Sequence, residues 1–366
     1  MIDARFVHAW KDLAAHAAEP NAFVESWFLR PALEQFEPEG CAQLFTLWDD
    51  ECLCGLMPVA ARPRYGRWPM PHVQNWLHHN AFLGTPLVRA GYEYRFWQAY
   101  FERMDSYPGQ ALFAHLNGLT LGGALANALE QVCHSQKRRC GLVHRSERAF
   151  LERGLSPDAY FEAAVRGKKR KELRRQKNRL SEEGALAFAR DCGTNGLTEW
   201  THEFLALEQR GWKGGNRSAF ATADGTRTLF SEWPSGAAAA GKLERLDLRL
   251  NGRPLAMLVN FLCPPGSFSF KTAFDEDYAR FSPGVLLQIE NLGLLDRTDI
   301  AWCDSCAAEG HPMIDSLWMG RRAVGRYSVA IGGSGRRVIF GAFLAAELAK
   351  SAPRANEHPF HAGEGE

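Results

Sequence analysis

Ser267 to Leu295, SFSFKTAFDEDYARFSPGVLLQIENLGLL, is the stretch whose residue types and spacing are best suited to chemistry. Phe268, Phe270, Thr272 and Phe274 alternate with Ser267, Ser269, Lys271 and Ala273, the period of a strand with one strongly apolar face. A polar loop leads to a helix start. Ser282 suits the N-cap, Pro283 the first helical position, where its missing N–H has no helical partner to lose, and Gly284 lets a ligand approach the backbone. Free N–H groups at such an end, added to the helix dipole, favour a phosphate or pyrophosphate. An ordinary capped helix after a strand gives the same pattern. Carboxylates stand nearby: Asp275, Glu276 and Asp277 after this strand, Asp304 and Glu309 after the next.

The elements that must position these groups follow one plan used twice. In the second half ERLDLRL and RPLAMLVNFL flank Asn251-Gly252, which predicts a hairpin with a type I′ turn. Cys263-Pro264-Pro265-Gly266 breaks the chain before the strand over 267–274, the helix opened by Ser282-Pro283-Gly284, and a strand from Ile300 to Cys306. In the first half AQLFTLW and CLCGLMPVA surround Asp49-Asp50-Glu51. After them come the loop ARPRYGRWPMP, the segment AFLGTPLV, a helix-like YRFWQAYFERM and the strand ALFAHLN. Hairpin, strand, helix, strand therefore recurs, and only the second copy keeps the anion-ready helix start. Two strands joined through one helix are expected to be neighbours, so the carboxylates after them converge at one end of a sheet.

Between the halves, LSPDAYFEAAVRGKKRKELRRQKNRLSEEG predicts a helix from Pro157 to Glu183, with a break near Gly167. Arg166, Lys168, Lys169, Arg170, Lys171, Arg174, Arg175, Lys177 and Arg179 are opposed within that span by Glu172 alone. Leu173 and Leu180 give a thin apolar seam, so the rest faces solvent or an acidic partner.

A chain of 366 residues exceeds the size at which one core usually keeps growing. The expected division is a first unit over 1–152, a second over 153–345 that includes the basic helix at 166–183, and a flexible tail over 346–366. The formal charge of +1 exerts no overall pull on nucleic acid or membrane. Nine cysteines without framework spacing, an N-terminus without an apolar signal region and no long apolar run point to a reduced, cytoplasmic protein without a membrane span. Cys303, Cys306 and His311 have zinc-like elements but no fourth ligand at suitable spacing, so no metal is expected. No Walker loop is present, nor a GxGxxG fingerprint after a strand, which excludes the common nucleotide-binding classes.

The RGKKRKELRRQKNRLSEEG helix, the turn Gly211-Trp212-Lys213-Gly214, LRLNGRPLAMLVNF, KTAFDEDYARFSPGVLL and the aspartate-bearing strand before HPMIDSLW occur in an order that resembles the BioF2-like (CelD/BcsL-type) acetyltransferases. These belong to the GNAT superfamily and are related to the Fem aminoacyl transferases. The resemblance is good from Ser156 to about Trp318 and weaker in the first half. It implies an α/β fold of tandem GNAT-like (acyl-CoA N-acyltransferase) domains, with mixed central sheets flanked by helices. It also implies acetyl-CoA or another acyl-CoA on the second strand-to-helix loop, with Arg280, Phe281, Ser282, Gly284 and Val285 forming the pyrophosphate cradle. The cradle departs from the superfamily's usual pair of closely spaced Gly or Ala positions, because Gly284 stands alone and Pro283 removes a donor.

Direct acyl transfer to an amine needs a proton acceptor for the amine, a donor to the thioester oxygen and an acid for the thiolate. A backbone N–H near Ala273 suits the oxygen. Asp304 is the first choice as base or acceptor-orienting group, followed by Glu309 and Asp275; surface solvation or loop capping are the plain alternatives. Tyr278 either protonates the thiolate or packs the loop. Lys271 meets a phosphate or a substrate carboxylate, or snorkels. Trp212 and Lys213 form an acceptor wall or anchor a turn. The expected activity is transfer to a small amine or amino sugar, linked to polysaccharide or cellulose synthesis. Two alternatives stand beside it: a Fem-like transferase using aminoacyl-tRNA, and a non-catalytic module on the same fold.

Overall fold

The computed structural model describes residues 2–37, 40–210 and 224–351. In the first repeat α1 (Ala4–Ala15) and α2 (Ser26–Phe36) precede the hairpin β1 (Ala42–Asp49) and β2 (Cys52–Arg62). Then come β3 (His72–Asn75), β4 (Leu87–Val88), α3 (Glu93–Ser106), β5 (Phe113–Thr120), α4 (Ala124–Ser135) and β6 (Cys140–Glu152). A bridge of α5 (Pro157–Ala164), α6 (Gly167–Glu182) and β7 (Leu186–Asp191) connects the repeats. In the second repeat α7 (Leu197–Arg210) and α8 (Asp224–Ala239) precede β8 (Leu243–Leu250) and β9 (Arg253–Cys263). The chain continues through β10 (Gly266–Phe274), α9 (Pro283–Glu290), β11 (Trp302–Asp304), α10 (Pro312–Asp315), β12 (Gly320–Ala330) and α11 (Ser334–Ser351).

The strands form one mixed sheet in the order β1-β2-β3-β5-β12-β6-β11-β10-β9-β8-β7, with β4 beside β2. Its two halves repeat each other. β1 with β2 and β8 with β9 are antiparallel hairpins, β3 and β10 each add antiparallel to them, and β3 with β5 and β10 with β11 are parallel. The second hairpin turns through Asn251 and Gly252 at φ 52° and 82°, both positive as a type I′ turn requires. At the centre the last strand of each repeat lies against the other: β6 pairs with β11, β12 with β5, and β6 and β12 pair with each other. That central pairing joins both repeats into a single sheet.

Helices that precede the hairpins share a core across the repeats. Trp10, Phe23 and Phe28 from the first pack with Trp233, Phe261, Phe268 and Phe270 from the second, all buried. Phe28 stacks on Trp233 at 4.4 Å between centroids. Each such side chain contributes about 2 kcal/mol through burial alone.

Three expectations change and one holds. The strand that matches β10 in the first repeat is His72–Asn75, directly after the loop ARPRYGRWPMP and not assigned to any element from sequence, while AFLGTPLV supplies only the two residues of β4. The basic helix divides just before Gly167, as the sequence suggests, because Val165 is extended and turned into the core. The final helix runs to Ser351, into the segment expected to be tail, because Phe340 and Leu344 are buried against Phe113 and Val143. The apolar alternation of β10 does not hold to its end. Its pairing with β9 slips between Ser269 and Lys271, and the extra residue shifts the face presented. Phe268, Phe270 and then Ala273 enter the shared core, whereas Phe274 packs in the cluster around Leu286 and Leu287 and the Thr272 hydroxyl accepts from Gln288 Nε2 at 3.1 Å.

Candidate functional site

Parallel pairing of β10 with β11 lasts from Gly266↔Trp302 to Phe268↔Asp304. Beyond it β10 runs on to Phe274 while the chain after Asp304 turns away, and the strands part in a V. A cleft of about 560 Å³ occupies the opening. One wall is β10, from Ser269 to Thr272 and at Phe274. The other is Ser305 to Ala308 with His311, Met313 and Ile314. Ala279, Ser282 to Val285 and Gln288 close one end, and Phe82 reaches in from the first repeat.

The start of α9 explains how that end handles an anion. Ser282 occupies the N-cap position at φ 54°, ψ 50°, and its hydroxyl makes no capping bond, contrary to the sequence expectation. N-cap side chains bond the first turn from an extended backbone, and the left-handed one points the hydroxyl elsewhere. Pro283 carries no N–H, and the first helical bond is Leu286 N–H to Ser282 O at 3.0 Å. The N–H groups of Gly284 and Val285 have no acceptor among the described residues, and both residues line the cleft. A Cβ on Gly284 would lie 3.2 Å from Phe274 Cδ1 and 3.4 Å from Met313 Sδ, so glycine keeps this approach open. Behind it Gln288 Oε1 accepts from Asn291 Nδ2 at 3.2 Å. Asn291 Oδ1 in turn accepts from Asn260 Nδ2 at 2.7 Å, a buried polar chain that fixes the Gln288 amide.

Two of the five described non-glycine residues with positive φ, Ser282 and Cys306, face this cleft, as sparsely populated backbone conformations tend to at sites of function. Cys306 is held at φ 54° by its N–H, which donates to Asp304 Oδ1 at 2.9 Å. Burial pushes its thiol well above the usual range, so it is an inert wall rather than a nucleophile.

Of the residues singled out in the sequence, Lys271, Ser282, Gly284 and Val285 line the cleft. The others have different settings. Ala273 is buried in the shared core, and Phe281 packs with Leu180 and Leu286. Arg280 is exposed and paired with Glu183 at 2.8 Å. Asp275 is buried, caps the turn Glu276–Phe281 by accepting from Asp277 N–H at 3.1 Å, and pairs with Arg253. Tyr278 packs on Phe281 beneath the Arg253 guanidinium. Glu309 is exposed and accepts from Glu147 N–H at 3.3 Å. Trp212 and Lys213 lie outside the described residues.

Asp304 is fully buried and lies behind the cleft wall. Its Oδ2 accepts from Arg148 Nη2 at 2.7 Å and from Arg322 Nη1 at 3.0 Å. Burial alone would push its carboxyl up. The two guanidiniums and the Cys306 N–H more than reverse this and hold it below the usual carboxylate range. A carboxylate so stabilised is a poor proton acceptor.

Sequence reasoning did not assign His311, Gln288 or Phe82 to the cleft. His311 Nδ1 is buried without a partner. Gln288 carried a readable signal, since it lies one helical turn after Gly284 on the same face. Phe82 carried none, because its approach is tertiary. Among the described residues no group of three or more His, Cys, Asp or Glu is placed to hold a metal ion, and no helix is long and apolar enough to cross a membrane.

Residues 167–315 match the model of the family described as Acetyltransferase (GNAT) domain. No curated protein sequence matches significantly. Among solved structures the chain is similar to FemX, with a TM-score of 0.58 at 10% identity over 92% of this chain and 98% of that one. It is also similar to a conserved protein of unknown function from Bacteroides thetaiotaomicron, with a TM-score of 0.57 at 11% identity over 89% and 97% of the two chains. A third similar structure is the C-terminal DUF2156 domain of a protein from Agrobacterium fabrum described as a lysylphosphatidylglycerol synthetase, with a TM-score of 0.53 at 13% identity over 92% and 96%. The architecture is that of tandem GNAT-like α/β repeats, and the second repeat carries a GNAT-type acyltransferase domain.

Proposed function

We propose that this chain transfers an acyl group, acetyl in the simplest case, from a coenzyme A thioester to the amino group of a small molecule. The observation that carries the reading is the pair of unpartnered amides at Gly284 and Val285, opening on the V between β10 and β11. Amides at a helix N-terminus suit a diphosphate, and the largely apolar walls beyond them suit a thin, mostly uncharged arm. The residues present thus fit the donor that the GNAT domain implies. The BioF2-like order of motifs supports an amino sugar or a comparable amine as acceptor.

Within the cleft the ionisable side chains among the described lining residues are Lys271, Cys306 and His311. Imidazole is the one of these whose neutral ring carries both a donor and an acceptor nitrogen. In this reading the His311 imidazole takes the proton of the attacking amine, the new C–N bond replaces the C–S bond, and the departing thiolate recovers that proton. No covalent enzyme intermediate forms. Isothermal titration tests the donor. Acetyl-CoA is expected to bind saturably, and Gly284→Trp is expected to abolish binding while circular dichroism stays native. Undiminished binding by the variant would overturn the placement.

A second reading, transfer from an aminoacyl-tRNA, is favoured by α6. Lys168, Lys169, Lys171, Arg174, Arg175, Lys177 and Arg179 are exposed, and the helix packs through Leu180 against Phe281, next to the end of the cleft formed by Ala279 and Ser282 to Val285. Salt separates the readings. A polynucleotide held by α6 would lose affinity steeply with ionic strength through counterion release, and reversing Arg174, Arg175 and Lys177 to glutamate would remove it. Acetyl-CoA affinity is expected to stay within about twofold in that variant.

A further inference from the structure

Both walls of the cleft belong to the second repeat, Phe82 enters it from the first, and one side chain is bonded toward Phe82 and toward the wall that begins at Ser305. Arg148, on β6, donates from Nη1 to the carbonyl of Phe82 at 2.7 Å and from Nη2 to Asp304 Oδ2 at 2.7 Å. Asp304 Oδ1 in turn holds the Cys306 N–H and with it the left-handed turn that starts the opposite wall. Arg322, on β12, completes the knot by donating to Asp304 Oδ2 at 3.0 Å and to Thr120 Oγ1 at 2.8 Å. None of the three charged residues lines the cleft. The knot sits where β10 and β11 begin to part, at the closed end of the V and away from the amides of α9.

We propose that Arg148 is a positioning residue which sets the gap between Phe82 and Cys306, so that a strand of the first repeat shapes the acyl end of a cleft belonging to the second. This rests on the donor reading above only for what occupies that end. The geometry of the knot is independent of it. A purely structural ion pair would lower overall stability and leave the closed end as accessible, relative to the rest of the core, as before.

Thiol labelling distinguishes these cases without any substrate. Cys306 lines the cleft and Cys303, buried in β11, does not, so the ratio of their labelling rates by N-ethylmaleimide, read by peptide mass, reports local opening and cancels global unfolding. The Arg148 charge lowers the pKa of the Cys306 thiol, so removing it would by itself slow the reaction at Cys306. An acceleration therefore reports access alone. In Arg148→Met the Cys306 to Cys303 ratio is expected to rise about tenfold or more; a ratio within about twofold of the parent overturns the proposal. Titration supplies the second arm. The affinity for acetyl-CoA relative to CoA is expected to change about threefold or more in the variant, whereas an equal weakening of both would mark a structural role and also overturn it. If the parent takes up neither ligand, the donor reading fails, and the labelling ratio still decides the role of Arg148.

Discussion

In the first repeat β3 and β5 pair in parallel over Val73↔Ala114 and Gln74↔His115 and then part, as β10 and β11 do in the second. The two openings are filled differently. The chain after β3 returns into the first V: Gly84 N–H donates to Gly118 O at 2.8 Å, and Asn75 Nδ2 donates to Gly84 O and Asn117 O at 2.9 and 2.8 Å. A Cβ on Gly84 would lie 2.0 Å from Asn117 O, so the plug leaves no room for a ligand. At the last paired position the first repeat places His115, bonded to Ser328 Oγ at 3.0 Å and pushed by burial down to about 3, where the second places the charged Asp304. The same strand order thus makes a filled seam in one half and a cleft in the other. The loop after the first parallel strand decides which.

The largest test of this contrast is the paired residue at the apex. Asp304→Ala leaves two buried guanidiniums without their carboxylate and is expected to cost about 3–5 kcal/mol in urea unfolding, whereas His115→Phe is expected to cost about 1 kcal/mol. Equal losses would erase the distinction between a charged and a neutral apex. Next come the two glycines. Gly84→Ala is expected to lose about 1–3 kcal/mol with acetyl-CoA affinity unchanged. Gly284→Ala should lose less than about 1 kcal/mol yet weaken acetyl-CoA about tenfold, because its Cβ meets Phe274 and Met313 at contacts a few tenths of an ångström too close. A reversal of that pattern would move the ligand to the first repeat.

The smallest effect is a pH window. His72, His78 and His115 have folded values depressed by burial below the ordinary 6.5, so the unfolded chain protonates first. The stability they provide is complete above about pH 6.5 and drains as pH falls toward about 3. Asp304 is depressed too, but from the ordinary 3.8, so its contribution begins to drain only below that region. Between about pH 6.5 and 4.5 the loss therefore belongs to the first repeat. His115→Phe should flatten the dependence of the urea midpoint on pH in that range, and Asp304→Asn should leave its slope as it was.

Much of the second repeat was legible because its signals are local. Asn251-Gly252 specifies its turn through backbone conformation, and Ser282-Pro283-Gly284 marks a helix start whatever surrounds it. The repeat itself was readable as a recurring order, but β3 was not, since His72–Asn75 lies among prolines and arginines and owes its pairing to the strands beside it. The chemistry was less legible than the fold. Asp304 lies opposite Phe268 and Asp275 beyond the end of β10, and the two are engaged by Arg148, Arg322 and Arg253, partners that no local pattern points to. A one-residue bulge in β10 then exchanged which side chains look toward α9, and no periodic pattern announces such a slip.

Because β12 lies between β5 and β6, the middle of the sheet is among the last parts of the chain to leave the ribosome. Residues 113–120 and 140–152 must hold unpaired edges until about residue 330 emerges, a long wait for backbone groups able to pair with a neighbouring chain. Synthesis of this protein thus carries a period of exposure to aggregation set by topology, which chaperone occupancy on stalled nascent chains would register as a plateau ending once that final central strand clears the tunnel.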